Sequence, residues 1–405
     1  MYRVWDVVTN SSALVVAGAI LALVWAQVDP AGYRAFAAAP LPGTESGPTI
    51  RFLVNGVLMA LVFAFAFKEV WEALVLQHGA FRGRRGAAPL LAATGGVTAP
   101  VLVYVALAAA LAPAQWDALA AGWAVPAATD IAISYVVGRA IFGAGHPALR
   151  LILLLALADD AAGLAILALA YPAAPVDGGW LLLPLGAGLG AYLLFNRLPR
   201  GRDGDDPLQP RATRIRMRFG LWPYAVAGAF SWYGVYKAGL NPALGLLPIV
   251  PAIPHSDHAF GVFAEAEGRL ADLLNRAAHL VKLPVEISLF LFALVNAGAP
   301  LGAFGTASWL VLAALLLGKP LGILAGGWLA ARPLGLGWPA GIGPRTLIVV
   351  GLAAAAGFTM PLFIAASAFG PGPTLEAARL GVLLSLCAAV PAFLLGRGLG
   401  VHGRR

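Results

Sequence analysis

The chain has very few charged residues. Only 11% of its 405 residues are Asp, Glu, Lys or Arg, whereas 60% are hydrophobic and the mean hydropathy is +0.82. Soluble domains carry about 25% charged residues, so a water-facing surface of this size could not be covered here. Most of the surface must face lipid. The chain is therefore a polytopic membrane protein, and soluble enzymes and nucleic-acid-binding proteins are excluded.

Cysteine is almost absent as well. The single Cys387 excludes a disulfide framework and every metal site built from several cysteines, and we expect no resident cofactor. The formal net charge of +8 resembles that of a nucleic-acid-binding protein. Membrane topology explains it better, because basic residues accumulate on the cytoplasmic loops of membrane proteins.

Long apolar runs dominate the sequence instead. A hydrocarbon core of about 30 Å requires roughly 20 apolar residues per helix. Twelve stretches qualify: Ser12 to Ala26, Ile50 to Leu76, Leu90 to Ala112, Trp123 to Phe142, Leu149 to Ala170, Trp180 to Phe195, Leu221 to Tyr236, Gly239 to Ile253, Pro284 to Ala299, Thr306 to Ala330, Thr346 to Phe369, and Leu375 to Leu395. The fold class predicted is an all-α membrane protein with twelve transmembrane helices. The segment before the first stretch is hardly basic, so that stretch is interpreted as a span and not as a signal peptide.

Lysine and arginine separate onto alternating connections. One side holds most of them, including seven arginines from Arg197 to Arg218. The other side holds only Arg34, Arg51, Lys237 and Arg379. This asymmetry predicts a multi-pass protein of a bacterial-type cell inner membrane with both termini in the cytoplasm. Residues 197–218, charged and rich in Pro and Gly, are interpreted as a cytoplasmic linker between two halves of a single domain, residues 1–405.

A few charged residues lie inside the apolar stretches. A charge at the bilayer centre costs at least about 2.5 kcal/mol on insertion scales, so each one indicates an ion or proton pathway by default. They are Asp130, Asp159, Asp160, Glu286 and Lys319, with Lys68, Glu69 and Glu72 near one end of the second stretch.

The adjacent pair Asp159 and Asp160 predicts ion exchange. Neighbouring helix residues project about 100° apart, so at least one carboxylate must face a polar cavity. Like charges this close disfavour joint ionisation, so the pair can hold a proton or give it up. Carboxylate oxygens also suit a hard cation such as sodium. Competition between proton and cation for the same oxygens is the basis of an exchanger, and the alternative is a structural pair satisfied by internal hydrogen bonds.

Two apolar stretches are interrupted in corresponding halves of the chain. In AVPAATDIAISYVVG, Pro126 removes a backbone donor ahead of Thr129 and Asp130. The second interruption, GLAAAAGFTMPLFIA, contains Gly357, Thr359 and Pro361. Paired interruptions of this kind indicate a transporter site between discontinuous helices.

Broken helices leave partial charges inside the membrane, positive at N-terminal ends and negative at C-terminal ends. Asp130 could offset the positive ends. Lys319, in LLLGKPLGILAGG, could offset the negative ends, pair with a carboxylate, or extend its stem outward to the interface.

At these residues the chain resembles the NhaA-type sodium/proton antiporters. The matching segments are WAVPAATDIA (123–132), ALADDAAGLAILALAY (156–171), VNAG (295–298), GKPLGI (318–323) and AGFTMPLFIA (356–365). They span most of the chain in the family's order. The resemblance implies inverted-topology repeats formed by spans three to five and ten to twelve, with two discontinuous helices, spans four and eleven, crossing at mid-membrane.

The resemblance also implies roles for single residues. Asp160 would be the principal sodium and proton carboxylate, and Asp159 would join it while pairing with Lys319 in one state. Thr129 and Asp130 would line the site. Family members exchange sodium or lithium for protons electrogenically and are commonly dimers. The expected partners are thus a small cation, the lipid bilayer and a second copy of the chain.

Several positions agree with or depart from the family pattern. Glu69 matches an acid in the family's cytoplasmic funnel. Gly56 stands where the family has an acid, and Asn241 replaces a histidine tied to the pH response, so regulation by pH is open. Glu286 has no family counterpart and is interpreted as an interfacial residue or a local partner for Lys282.

Two other functions remain as alternatives. An intramembrane aspartyl protease also uses two membrane aspartates, but its sequence signatures are missing around Asp130 and the contiguous pair. A sodium-coupled organic-solute symporter would share the architecture, although the DD pair and GKPLG disfavour it. Sodium, lithium and potassium all stay open as the cation.

Overall fold

The described part of the chain is helical. A computed structural model describes residues 2–41, 47–75, 84–199, 218–254, 273–339 and 342–401. Within these ranges there is no strand, and Pro40 and Thr49 form an isolated antiparallel bridge. The predicted all-helical class is therefore confirmed for the described residues.

We number the helical segments in chain order. They are α1 (Tyr2–Val28), α2 (Pro30–Ala38), α3 (Ile50–Val75), α4 (Arg84–Leu111), α5 (Pro113–Ala127), α6 (Ile131–Phe142), α7 (Pro147–Ala170), α8 (Gly178–Arg197), α9 (Trp222–Lys237), α10 (Pro242–Ala252), α11 (Leu273–Asn296), α12 (Thr306–Ala331), α13 (Pro344–Ala353), α14 (Thr359–Ala368) and α15 (Pro373–Gly398). Three of them change helix type at or beside Pro126, Lys319 and Ser385. α5 is 3-10 helical at Ala120–Ala127. α12 contains a π-helical turn at Ala314–Gly318, and α15 contains a 3-10 turn at Ser385–Ala388.

Seven of the described helices are long and apolar enough to cross a membrane: α3, α4, α7, α8, α11, α12 and α15. α5 and α6 meet at 54° and count as an eighth span if they are taken as one bent pair. The remaining predicted stretches coincide with the short apolar segment Ala13–Val28 of α1 and with the shorter helices α9, α10, α13 and α14. The count of twelve spans stays a prediction. The predicted linker, residues 197–218, lies outside the described residues except at its two ends.

The helices gather into two compact units. The first comprises Pro40–Gly79 and Leu167–Leu289, and its core includes Tyr224, Ile249 and Leu273. The second comprises Tyr2–Ala39, Ala80–Ile166 and Phe290–Arg405. One hydrophobic cluster in this unit joins α4, α6, α7, α12, α13 and α15 through side chains that include Ile141, Leu151, Ile323 and Leu347.

Within the second unit, α12 lies against α4 at very short range because glycines line the contact. A Cβ atom on Gly322 would lie 2.0 Å from the carbonyl oxygen of Gly95, and one on Gly326 would lie 2.2 Å from that of Leu91. Only glycine permits this backbone approach, a common device for packing membrane helices. The contact holds α12, which carries Lys319, against α4.

Candidate functional site

The two interruptions meet in the second unit. α5 ends at Ala127, residues 128–130 are extended, and α6 begins at Ile131. In the other half, α13 ends at Ala353 and α14 begins at Thr359. The N–H of Asp130 donates to the carbonyl of Ala356 at 3.1 Å, so backbone groups released by one break satisfy those released by the other.

Prolines accompany both breaks. Pro126 lies in the last turn of α5, a 3-10 turn. Pro361 lies in the first turn of α14, where the missing N–H leaves no helical hydrogen bond unmade. Gly357 lies in the connection between α13 and α14. These three predicted residues shape the backbone, whereas the polar side chains lie beside them.

The Asp130 carboxylate caps two helices at once. Its Oδ1 accepts hydrogen bonds from the N–H groups of Ala132 at 3.0 Å and Ile133 at 3.1 Å, at the start of α6. Its Oδ2 accepts from the hydroxyl of Thr359 and from the Thr359 N–H at 3.5 Å, at the start of α14. A negative charge is favourable at a helix N-terminus, and this carboxylate serves two of them.

A buried ion pair lies on the other side of the first break. The Lys319 Nζ is 2.6 Å from Asp159 Oδ2, which also accepts a hydrogen bond from the Thr129 hydroxyl at 2.7 Å. All three residues are at most 1% exposed. Lys319 Nζ also donates to the carbonyl of Ala127 at 3.4 Å, the last residue of α5. The lysine thus both pairs with a carboxylate and offsets the partial negative charge at the C-terminus of α5.

Asp160 differs from its neighbour. It is half-buried, and within the described residues its carboxylate makes no side-chain hydrogen bond or ion pair. It lies within electrostatic reach of Asp130, Asp159 and Lys319. The Oδ1 atom of Asp159 is also buried without a hydrogen-bond partner there.

The cluster can therefore present carboxylate oxygens to a small cation or a proton. Within the described ranges no three His, Cys, Asp or Glu side chains form a metal-binding group. A cation at the two predicted ligands, Asp159 and Asp160, would have to complete its shell with hydroxyl, carbonyl or water oxygens.

Known proteins match the chain over nearly its whole length. The family model Na+/H+ antiporter 1 matches residues 3–395. The Na(+)/H(+) antiporter NhaA of Jannaschia sp. (strain CCS1) is 52% identical over 98% of each chain. The Na(+)/H(+) antiporter NhaA of Geobacter sulfurreducens is 40% identical over 96% of each chain.

The chain belongs to the Na+/H+ antiporter 1 family. The family resemblance stated from the motifs is confirmed. The relatives are named Na+/H+ antiporters, which are transporters. It is a multi-pass membrane protein with bacterial relatives.

Glu69 belongs to the first unit, whereas Asp130, Asp159 and Asp160 belong to the second. Lys68 lies 3.1 Å from Glu69 Oε1 and 3.0 Å from Glu72 Oε2, and all three side chains are largely buried. The lysine therefore holds both glutamates on one face of α3. The predicted role of Glu69 in a cytoplasmic funnel stays a prediction.

Asn241, predicted to replace a histidine of the family, has a local structural role. Its side chain accepts a hydrogen bond from the Ala243 N–H at 3.1 Å and caps the start of α10. Glu286 lies in the middle part of α11, and its interpretation as an interfacial residue stays a prediction.

One polar side chain at the second break was missed by the sequence analysis. The Ser385 hydroxyl accepts a hydrogen bond from the Gly357 N–H at 2.9 Å and is fully buried. The available signal was a serine in the middle of the last apolar stretch, which by itself is ordinary in a membrane helix.

Proposed function

We propose that this protein exchanges intracellular sodium, or lithium, for external protons. The observation that carries the proposal is the arrangement at the first break. One buried aspartate, Asp159, is paired with Lys319, and the next residue, Asp160, is half-buried with uncommitted oxygens. Family membership supports the same exchange, because the relatives are named Na+/H+ antiporters.

The exchange would proceed by competition for the Asp pair. When the cytoplasmic side is open, sodium binds the deprotonated oxygens of Asp160 and draws Asp159 away from the Lys319 ammonium. When the outer side is open, protons return and displace the cation. Two carboxylates and one ammonium can together release more than one proton for each sodium bound, which would make the exchange electrogenic.

The supporting roles follow from the contacts. Thr129 holds Asp159 Oδ2 and can offer its hydroxyl oxygen to the cation. Asp130 keeps the N-termini of α6 and α14 together. Moving the site from one side to the other would then require only small changes where the two breaks meet.

We extend the proposal to the membrane arrangement. Twelve spans, with inverted repeats from spans three to five and ten to twelve, would make α5–α6 and α13–α14 the two discontinuous helices that cross at mid-membrane. The 54° bend between α5 and α6 and the hydrogen bond from Asp130 to Ala356 support this arrangement. The protein would lie in the inner membrane of a bacterial cell, with both termini in the cytoplasm. Two copies would form a dimer.

Proton flux in proteoliposomes tests the function. Adding sodium to one side should move protons across the membrane in the opposite direction. Asp160→Asn should abolish this flux, whereas Asp117→Asn, at an exposed aspartate outside the cluster, should leave it unchanged. Lys319→Ala should alter the coupling while some transport persists.

The same preparation tells the antiporter from a symporter. An organic solute that enters with sodium, while no protons move at any accessible pH, would reject the antiport proposal. Peptide cleavage that disappears on mutation of Asp130 would reject it in favour of a protease.

A further inference from the structure

At the second break, the peptide group between Ala356 and Gly357 has a hydrogen-bond partner on each side. The carbonyl of Ala356 accepts from the Asp130 N–H at 3.1 Å, and the N–H of Gly357 donates to the Ser385 hydroxyl at 2.9 Å. These two groups belong to the same planar peptide unit, in which the C=O and N–H point in opposite directions. Fixing the direction of one therefore fixes the direction of the other.

Ser385 is suited to act as this anchor. It is completely buried, and it occupies the first position of the 3-10 turn that interrupts α15. Its hydroxyl oxygen lies 2.6 Å from the Val382 carbonyl oxygen and 3.4 Å from that of Gly357. The single hydroxyl hydrogen serves the shorter contact, which leaves the oxygen lone pairs to accept from the Gly357 N–H. Without the serine hydroxyl the Gly357 N–H would be buried with no acceptor from this residue, and such a loss is costly.

We propose that Ser385 is a positioning residue for the cation site. Through the 356–357 peptide it aims the Ala356 carbonyl at Asp130 and places the start of α14, where Thr359 binds the same aspartate. Ser385 touches neither the cation nor the Asp pair. The inference rests on the proposed function, because its effect is read through cation binding.

Sodium-dependent proton flux, measured over a range of sodium concentrations, tests the proposal. Ser385→Ala should raise the apparent KM for sodium about five- to tenfold, the effect of losing one buried hydrogen bond, and should leave the maximal rate within about twofold of the wild type. Ser385→Cys, which keeps the volume and accepts only weakly, should behave in the same way. Ser385→Thr retains the hydroxyl and should have the same KM for sodium as the wild type.

Ser288→Ala is the matched control. Ser288 is also buried in a membrane helix and its hydroxyl donates to a backbone carbonyl, that of Pro284, at 2.6 Å, but it does not bind either break. Its KM should equal that of the wild type.

Hydrogen exchange measured by mass spectrometry gives a readout that needs no transport. Peptides that cover residues 354–358 should exchange faster in Ser385→Ala than in the wild type and the control. If the KM for sodium is unchanged in both Ser385→Ala and Ser385→Cys, the inference is overturned, whether or not hydrogen exchange is faster. Sodium-dependent flux in the wild type would still support the proposed function in that case. Absence of sodium-dependent flux in the wild type would instead reject the proposed function itself.

Discussion

Removing Lys319 should destabilise the protein strongly, because its ammonium is the only charge paired with Asp159 among the described residues. Lys319 Nζ and Asp159 Oδ2 are 2.6 Å apart, and both side chains are at most 1% exposed. At an effective dielectric constant of about 20 their attraction is about 6 kcal/mol, and desolvation of both ions offsets much of it. Breaking such a pair from one side costs about 3 to 5 kcal/mol, since an uncompensated charge stays buried.

A double-mutant cycle measures the coupling. Lys319→Met and Asp159→Asn should each lower the free energy of unfolding in mild detergent, and the double variant, which leaves neither charge behind, should be more stable than the sum of the two losses predicts. The pair Arg34–Glu376, 2.9 Å apart with the arginine side chain 60% and the glutamate side chain 18% exposed, serves as the control. Its coupling should be at most about 1 kcal/mol. Purely additive losses at Lys319 and Asp159 would refute the reasoning.

Three further predictions concern the site and its supports. Asp130→Ala should lower the free energy of unfolding by about 1 to 3 kcal/mol, because two helix N-termini lose their cap, and Asp130→Asn should lower it less; thermal unfolding in detergent checks both. Gly322→Ala should sharply reduce the yield of folded protein on size-exclusion chromatography, because its Cβ would meet the Gly95 carbonyl at 2.0 Å, whereas Gly343→Ala, with nothing within 4 Å, should have no effect. Lowering the pH should raise the apparent KM for sodium in flux assays by up to about tenfold per pH unit if one proton competes with one cation, and a KM independent of pH would argue against competition.

Several parts of the site could be predicted from the sequence. Charged residues are rare in apolar stretches and costly there, so Asp130, Asp159, Asp160 and Lys319 were identified one by one. The interruptions were predicted because helix-breaking residues lie in corresponding halves of the chain, Pro126 in one and Gly357 and Pro361 in the other.

Contacts between distant segments could not be predicted in this way. Asp130 and Thr359 are 229 residues apart, and nothing in their local sequence specifies that one carboxylate caps both α6 and α14. For Lys319 the sequence left three roles open. The structure shows two of them together, because the last carbonyl of α5 lies beside the carboxylate that the lysine binds.

The roles of the glycines of α12 and the serine of α15 could not be predicted from the sequence for a related reason. Glycine and serine are common in membrane helices, so Gly322 and Ser385 resemble many neutral positions until their partners are known. The predicted count of twelve spans also exceeds the number of described helices that are long enough to cross a membrane, because α10, α13 and α14 are short. Short broken helices satisfy length criteria poorly even where the apolar pattern is continuous.

Proton release on sodium binding tests the central claim most directly. Purified protein in detergent would be titrated with sodium by calorimetry in two buffers of different ionisation enthalpy, so that the protons released per sodium bound can be counted. We expect sodium binding to release protons, and Asp160→Asn to abolish both the binding and the release. Sodium binding without proton release, or binding that is unchanged in Asp160→Asn, would contradict competition between cation and proton for the aspartate pair.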